Sequence, residues 1–257
     1  MKRRGWALAG LLLAAWLAPF AAPHDPARVH GEVALAPLSF HYPLGTDPLG
    51  RCLLSRILFA ARTSATLALG VVALALVAGL AAGCAAAYWP RWDSIIRWWI
   101  DTTLAFPGTL VALVAAAIFG PGWLTIVFAL AATTWTKYAR VSRQIALSLR
   151  DAVFVDAARA IGAGPFHILR RHVAPILLPP IVELAALGAA QAILSGAALS
   201  FLGLGIPAPT PEWGSLIAAA RPYTRAAPHL LLLPAAALLL FVYALQSLAG
   251  DRDAARD

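Results

Sequence analysis

Long runs without a charged residue constrain this chain more than any other feature. Gly5–Pro23 (19 residues), Thr63–Pro90 (28), Thr102–Thr136 (35) and Ala226–Gly250 (25) hold no Asp, Glu, Lys or Arg, and His172–Ala220 holds only Glu183 and Glu212. A membrane-spanning helix needs about 20 predominantly apolar residues. A soluble domain of this length would need charge to cover its surface, yet charged residues are 12% and hydrophobic residues 61% of the 257. Ordinary soluble domains carry roughly 25% charged and 45–50% apolar residues. The composition therefore demands lipid as solvent and excludes a soluble fold.

The 35-residue run is too long for one helix and breaks at Gly120-Pro121-Gly122, a turn between two helices. The first of that pair is expected to begin near Ile95, taking in Asp101, and the second to reach about Arg140. Pro207, Pro209 and Pro211 end the helix after Gly205. These readings give an all-α integral membrane protein of six transmembrane helices. The chain divides into an N-terminal anchor (1–23), an extracytoplasmic loop and lead-in (24–62), a transmembrane core (63–250) and a short cytoplasmic tail (251–257). Lys2-Arg3-Arg4, the apolar stretch and the small residues Ala18, Ala21 and Ala22 also resemble a cleavable signal peptide; the length of the stretch favours a retained anchor.

Charge sets the orientation. With both termini inside, segments 1–4, 89–101, 137–175 and 250–257 are cytoplasmic and carry 14 of the 20 Lys and Arg residues, as the positive-inside rule requires. The same distribution accounts for the net charge of +8 without a nucleic-acid partner. Trp89, Trp92, Trp98 and Trp99 fall at one membrane edge, Trp123 and Trp213 at the other, where amphipathic rings belong.

The largest inside loop, 137–175, lies between the fourth and fifth spans and has a net charge of +5. Phe154, Ala157 or Ala158, and Ile161 share one helical face. Gly162 suits a left-handed helix end, and Gly164-Pro165 a turn. Phe166 then opens a second short helix ending near Pro175. The loop reads as helix, glycine corner, helix: either a surface that another protein approaches closely, with Phe166 as an anchor, or a solvated basic loop. Asp156 is placed to pair with Arg159, with Arg150, or with a basic group on a partner.

Asp156-Ala157-Ala158, Gly162 and Pro175 resemble the EAA loop of permease subunits of binding-protein-dependent ABC importers, with Asp156 in place of Glu, His172 in place of Ile and Ala174 in place of Leu. Pro43-Leu44-Gly45-Thr46-Asp47 with Gly50-Arg51, Ala105-Phe106-Pro107, Arg159–Ala163, Arg171-His172-Val173, Leu199–Gly205 and Pro209–Gly214 are similar to the second-permease subunits of the dipeptide, oligopeptide and nickel branch. The likeness runs from Pro43 to Gly250. It departs at Tyr42, which separates His41 from Pro43, and at Cys52, where an Asp commonly follows Gly-Arg. The resemblance implies that Asp156, Ala157, Ala158, Arg159, Gly162, Ala163, Pro165, Phe166 and Pro175 couple the chain to a cytoplasmic ATPase. It implies a second permease, two ABC ATPases and an extracytoplasmic solute-binding protein as partners, in the bacterial inner membrane. Peptides are the implied cargo, with nickel or a nickel chelate as the alternative.

No G-x-x-x-x-G-K-[ST] is present, so the chain is expected to bind no cofactor itself, with ATP and Mg on partner subunits. No H-E-x-x-H or G-x-S-x-G supports an intramembrane hydrolase, and no catalytic residue is assigned. Glu183 is the acid deepest in a span, so it should face protein or a water-filled path. With Gln191, Ser195 and Ser200 it forms a candidate translocation path, or else it is a paired structural residue. A gradient-driven secondary transporter would use Glu183 as proton carrier, but no internal repeat is visible. Asp101 is expected to sit beside Arg97. His24, His30 and His41 with Asp25 and Glu32 have irregular spacing in a Pro-rich loop and are read as solvated, not as metal ligands; Cys52 and Cys84 are read as packing residues.

Overall fold

The computed structural model describes residues 2–250; the expected tail 251–257 lies outside the described residues. Regular structure among them is helical, apart from one bridge pairing Thr46 with Cys52. The helices are α1 (Lys2–Leu17), α2 (Leu53–Tyr88), α3 (Pro90–Leu104), α4 (Gly108–Phe119), α5 (Trp123–Arg150), α6 (Val153–Ala160), α7 (Pro165–Ile168), α8 (Ala174–Phe201), α9 (Trp213–Ala220) and α10 (His229–Gly250).

Three helical stretches are long and apolar enough to cross a membrane alone: Leu53–Tyr88, Pro165–Phe201 and His229–Ser247. A fourth arises if α3 and α4 are one span bent by 81°. In α1 the apolar stretch is the shorter Gly10–Ala21, and α5 turns basic from Lys137 onward. α2 begins at Leu53, inside the segment read as lead-in, so at about 1.5 Å per residue it far exceeds the roughly 30 Å hydrocarbon layer.

The expected continuous helix from Ile95 does not form. Pro107 has no N–H to bond the Thr103 carbonyl, and it forces its predecessor away from helical geometry. The Ala105 N–H falls back on Asp101 and Thr102, the Phe106 N–H on Thr103, and Pro107 is extended. The chain swings there. The Gly120–Gly122 turn forms where expected, with Gly120 at φ +84°.

The spine is the α2–α5 pair. A Cβ on Gly79 would lie 2.6 Å from Tyr138 Cβ and 2.6 Å from the Trp135 carbonyl, and one on Gly83 would strike Ser142 and the Ala139 carbonyl. Small residues four apart let two helices meet backbone to backbone, which is how packing is won where lipid supplies no hydrophobic drive. Ser142 Oγ donates to Gly79 O at 3.3 Å and to Ala139 O at 3.2 Å.

Two apolar clusters result. One joins α2, α4, α5, α8, α9 and α10 around Val71, Ile126, Ile193, Trp213 and Leu245. The other gathers Cys84, Ala87, Tyr138 and Ala146 with Val155, Ala158, Ile168, Val173 and Leu177. The largest loop is thus packed against the bundle's end.

Candidate functional site: the corner between α5 and α8

α6 begins after Ala152 and points Val155 and Ala158 into the second cluster. Phe154 and Ile161, which the spacing placed on one face, stay exposed, while Val155 and Ala158 join the buried cluster that holds Cys84 and Ala87. The helix then closes with a Schellman arrangement: Ala163 N–H donates to Ala158 O at 3.0 Å and Gly162 N–H to Arg159 O at 2.9 Å. Gly162 sits at φ +87°, a left-handed conformation in which a Cβ is penalised.

Gly164 leads into α7, whose Ile168 is buried. The second helix does not stop near Pro175, as the sequence suggested. It passes through one wide turn, Leu169–Val173, in which Ala174 N–H reaches back five residues to Leu169 O, and runs on into α8. Pro175 lacks the donor that a regular helix needs for the Arg171 carbonyl, and a wide turn just before it accommodates that mismatch. The corner and the following span are one rod.

Of the predicted coupling residues, Asp156 through Phe166 gather in this corner, while Pro175 stands in the first turn of α8. Asp156 Oδ1 receives Arg159 Nη1 at 3.0 Å, and Arg150 pairs with Asp151 instead. Ala158 is buried; Asp156, Ala157, Arg159, Gly162, Pro165 and Phe166 are exposed and Ala163 partly so. Around them Val153 (86% exposed), Ile161 (87%) and Phe166 (74%) are open to the outside, and Arg159, Arg170 and Arg171 of the same stretch are exposed as well. Large apolar groups exposed among basic ones have the anatomy of a protein-docking patch.

The candidate path residues separate. Glu183 is half-buried and followed at four-residue spacing by Leu187 and Gln191 on the outward face of α8. Gln191 Nε2 donates to Ser195 Oγ at 3.4 Å. Ser195 and Ser200 are buried, and Ser200 Oγ accepts the Ile206 N–H at 3.4 Å.

Sequence reasoning counted Glu212 only as a charge interrupting an apolar run. It is 2% exposed and caps α9, accepting the Ser215 N–H at 3.0 Å. The Gly214 N–H, Ser200 on α8 and Ser64 on α2 lie close enough to the same carboxyl to favour its charged form. Burial pushes its pKa up and those donors draw it down, burial being the larger influence. Trp213 stacks toward Phe241 of α10 at 5.5 Å, and Gly214 presses on the α8 backbone at Ala197. Pro211-Glu212-Trp213-Gly214 therefore ties α2, α8 and α10 together; glutamate is not among the usual cap residues, so no cap signal marked it in the sequence.

Asp47 organises the 24–52 loop. It is buried, accepts the N–H groups of Leu49 (2.9 Å) and Arg51 (3.0 Å), pairs with Arg51 Nε at 2.7 Å and lies 3.5 Å from Arg56 Nε. Cys52 occupies the cap position of α2 without a side-chain capping bond. The extra Tyr42 stacks on His24, ring centroids 5.0 Å apart. No group of three or more metal-ligating side chains occurs among the described residues. Asp101 pairs with Arg140 and not Arg97, which bonds Asp93.

Residues 75–251 match the family described as "Binding-protein-dependent transport system inner membrane component". The di/tripeptide transport system permease protein DppC of Pseudomonas aeruginosa is 38% identical, over 96% of this chain and 86% of its own. The dipeptide transport system permease protein DppC of Alkalihalophilus pseudofirmus is 35% identical over 99% and 86%. The glutathione transport system permease protein GsiD of Pectobacterium atrosepticum is 36% identical over 95% and 82%.

Proposed function

The chain belongs to the binding-protein-dependent transport system inner membrane components, and on that premise we propose that it is a permease subunit of a peptide-importing ABC transporter. It forms half of the translocation path beside a second permease. Two cytoplasmic ATPases hold the ATP and Mg, and an exported binding protein delivers the peptide. The peptide and glutathione names of its relatives favour peptide over the nickel alternative. Six spans with both termini in the cytoplasm fit the charge distribution.

The observation that carries this reading is the corner at 153–166, with its outward Val153, Ile161 and Phe166. A partner that grips this patch moves α7 and α8 together, because the helix is continuous from Pro165 to Phe201. ATPase closure then shifts the face bearing Glu183 and Gln191. Asp156, held by Arg159 at 3.0 Å, keeps the exposed side of α6 polar between the apolar contacts.

The test is uptake of a labelled dipeptide by proteoliposomes of the assembled complex, with a Phe166→Cys variant cross-linked to the ATPase. Capture of the ATPase and ATP-dependent uptake are expected. Uptake that persists without ATP and follows a proton gradient, or a competent complex whose position 166 never captures the ATPase, overturns the reading.

A further inference from the structure

α3 carries four charges, Arg91, Asp93, Arg97 and Asp101, in its 15 residues, a density unlike that of the spans. Asp93, Arg97 and Asp101 are ion-paired on the side toward α5, while Arg91 is exposed on the other. Asp93 receives Arg143 Nε at 2.6 Å and Arg143 Nη2 at 2.9 Å, with Arg97 3.3 Å away. Asp101 receives Arg140 at 3.2 Å. Ile100 is buried on the same side.

Past Arg91, the opposite face is apolar and uncovered. Trp92, Ile95, Trp98 and Trp99 all stand about half exposed, with Trp98 edge-on to Trp99 at 5.1 Å and Trp89 just ahead. The 81° bend sets α3 nearly perpendicular to α4. α4 is uncharged and exposes Leu110, Val114 and Ile118, an apolar surface that belongs to the lipid layer, and the Trp face comes directly before it in the chain. Tryptophan suits the boundary between acyl chains and headgroups, and an amphipathic helix lies in that boundary.

We propose that α3 is an interfacial helix, lying along the bilayer surface at the α6 end of the bundle with its Trp92–Trp99 face among phospholipid headgroups. It is not the first half of a span. Its occupant is the lipid surface, since the face directly precedes the lipid-exposed α4 in the chain and every ion pair of α3 is turned the other way, onto α3 itself and α5. Assigning it to the cytoplasmic leaflet rests on the topology proposed above.

The test places nitroxide labels one at a time at Arg91→Cys, Ile95→Cys, Trp98→Cys and Thr102→Cys, positions on one helical face. Cys52 and Cys84 are replaced, and the ATPase-bound complex sits in phosphatidylcholine–phosphatidylglycerol nanodiscs. Depths agreeing within about 3 Å near the phosphate level are expected, whereas a helix crossing the membrane would deepen by about 16 Å over eleven residues. That gradient, or shielding of the labels from both oxygen and a polar nickel chelate, which would signal a covering protein, overturns the proposal. Should Trp98→Cys prevent assembly, the other three positions read the same gradient. Labelling of Arg91→Cys from outside intact spheroplasts would overturn the topology and the leaflet, while leaving the depth pattern to judge the in-plane helix.

Discussion

His24 stands edge-on to His41, ring centroids 4.7 Å apart, and their Nε2 atoms are 3.3 Å apart. That hydrogen bond exists only while at least one ring is neutral. Burial, then repulsion from His41 and His30, holds the His24 pKa below its ordinary value of 6.5. With the folded value depressed, the unfolded loop binds the extra proton first, so loop stability falls as pH drops below 6.5 and stops falling beneath the folded value. Hydrogen-exchange protection factors across residues 24–42, corrected for the intrinsic slowing of exchange with acid, should fall between pH 7.5 and 5, and His41→Ala should flatten that response. Gly162 makes a different demand. Nothing lies within 4 Å of a Cβ built there, so replacement meets only the left-handed backbone, at about 1–2 kcal/mol for a β-branched residue. Gly162→Val should lose peptide uptake and ATPase recruitment with insertion intact, while Gly162→Asn retains most of both. A glycine closing a helix was legible in the sequence. Glu212 was not, because its partners Ser64 and Ser200 come from distant stretches of chain.

Between elements, α2 and α5 meet backbone to backbone. Gly79 faces backbone and Cβ atoms at 2.6 Å, none of which can swing aside as a flexible side chain would. Gly79→Leu should therefore cost about 1–3 kcal/mol or more and lower the unfolding temperature of detergent-purified protein; Gly10→Ala, with nothing within 4 Å, should not. Apolar runs and glycine–proline turns placed most helices from the sequence alone, including the Gly120–Gly122 corner. The break at Pro107 was harder to see. Asp101 looked like part of a span's first turns, and only the α5 arginines reveal that α3 is held by its acids, away from the axis of α4. The spacing placed Phe154 and Ile161 on one face of α6 without telling which face meets the bundle. Spacing gives a period, but which of two adjacent stripes is buried depends on Cys84 and Ala87, some 70 residues earlier.

In the whole molecule, one apolar cluster joins the spans and a second binds the corner to them. The class of protein was legible because charge scarcity and charge placement are global properties. The mechanical continuity was not, since Pro175 read as an ending, whereas the helix passes it directly after a single wide turn. That turn is also a register device. It holds one residue more than an ordinary helical turn, so whatever lies below it is twisted about the axis by roughly 100° relative to whatever lies above. Deleting Arg171 should restore ordinary winding and leave insertion intact, while thermal stability falls because the turned corner loses part of its buried cluster. ATP hydrolysis should then run without peptide uptake, because Phe166 would be aimed a quarter-turn away from the surface it must meet. One surplus residue sets the compass bearing of the whole joint.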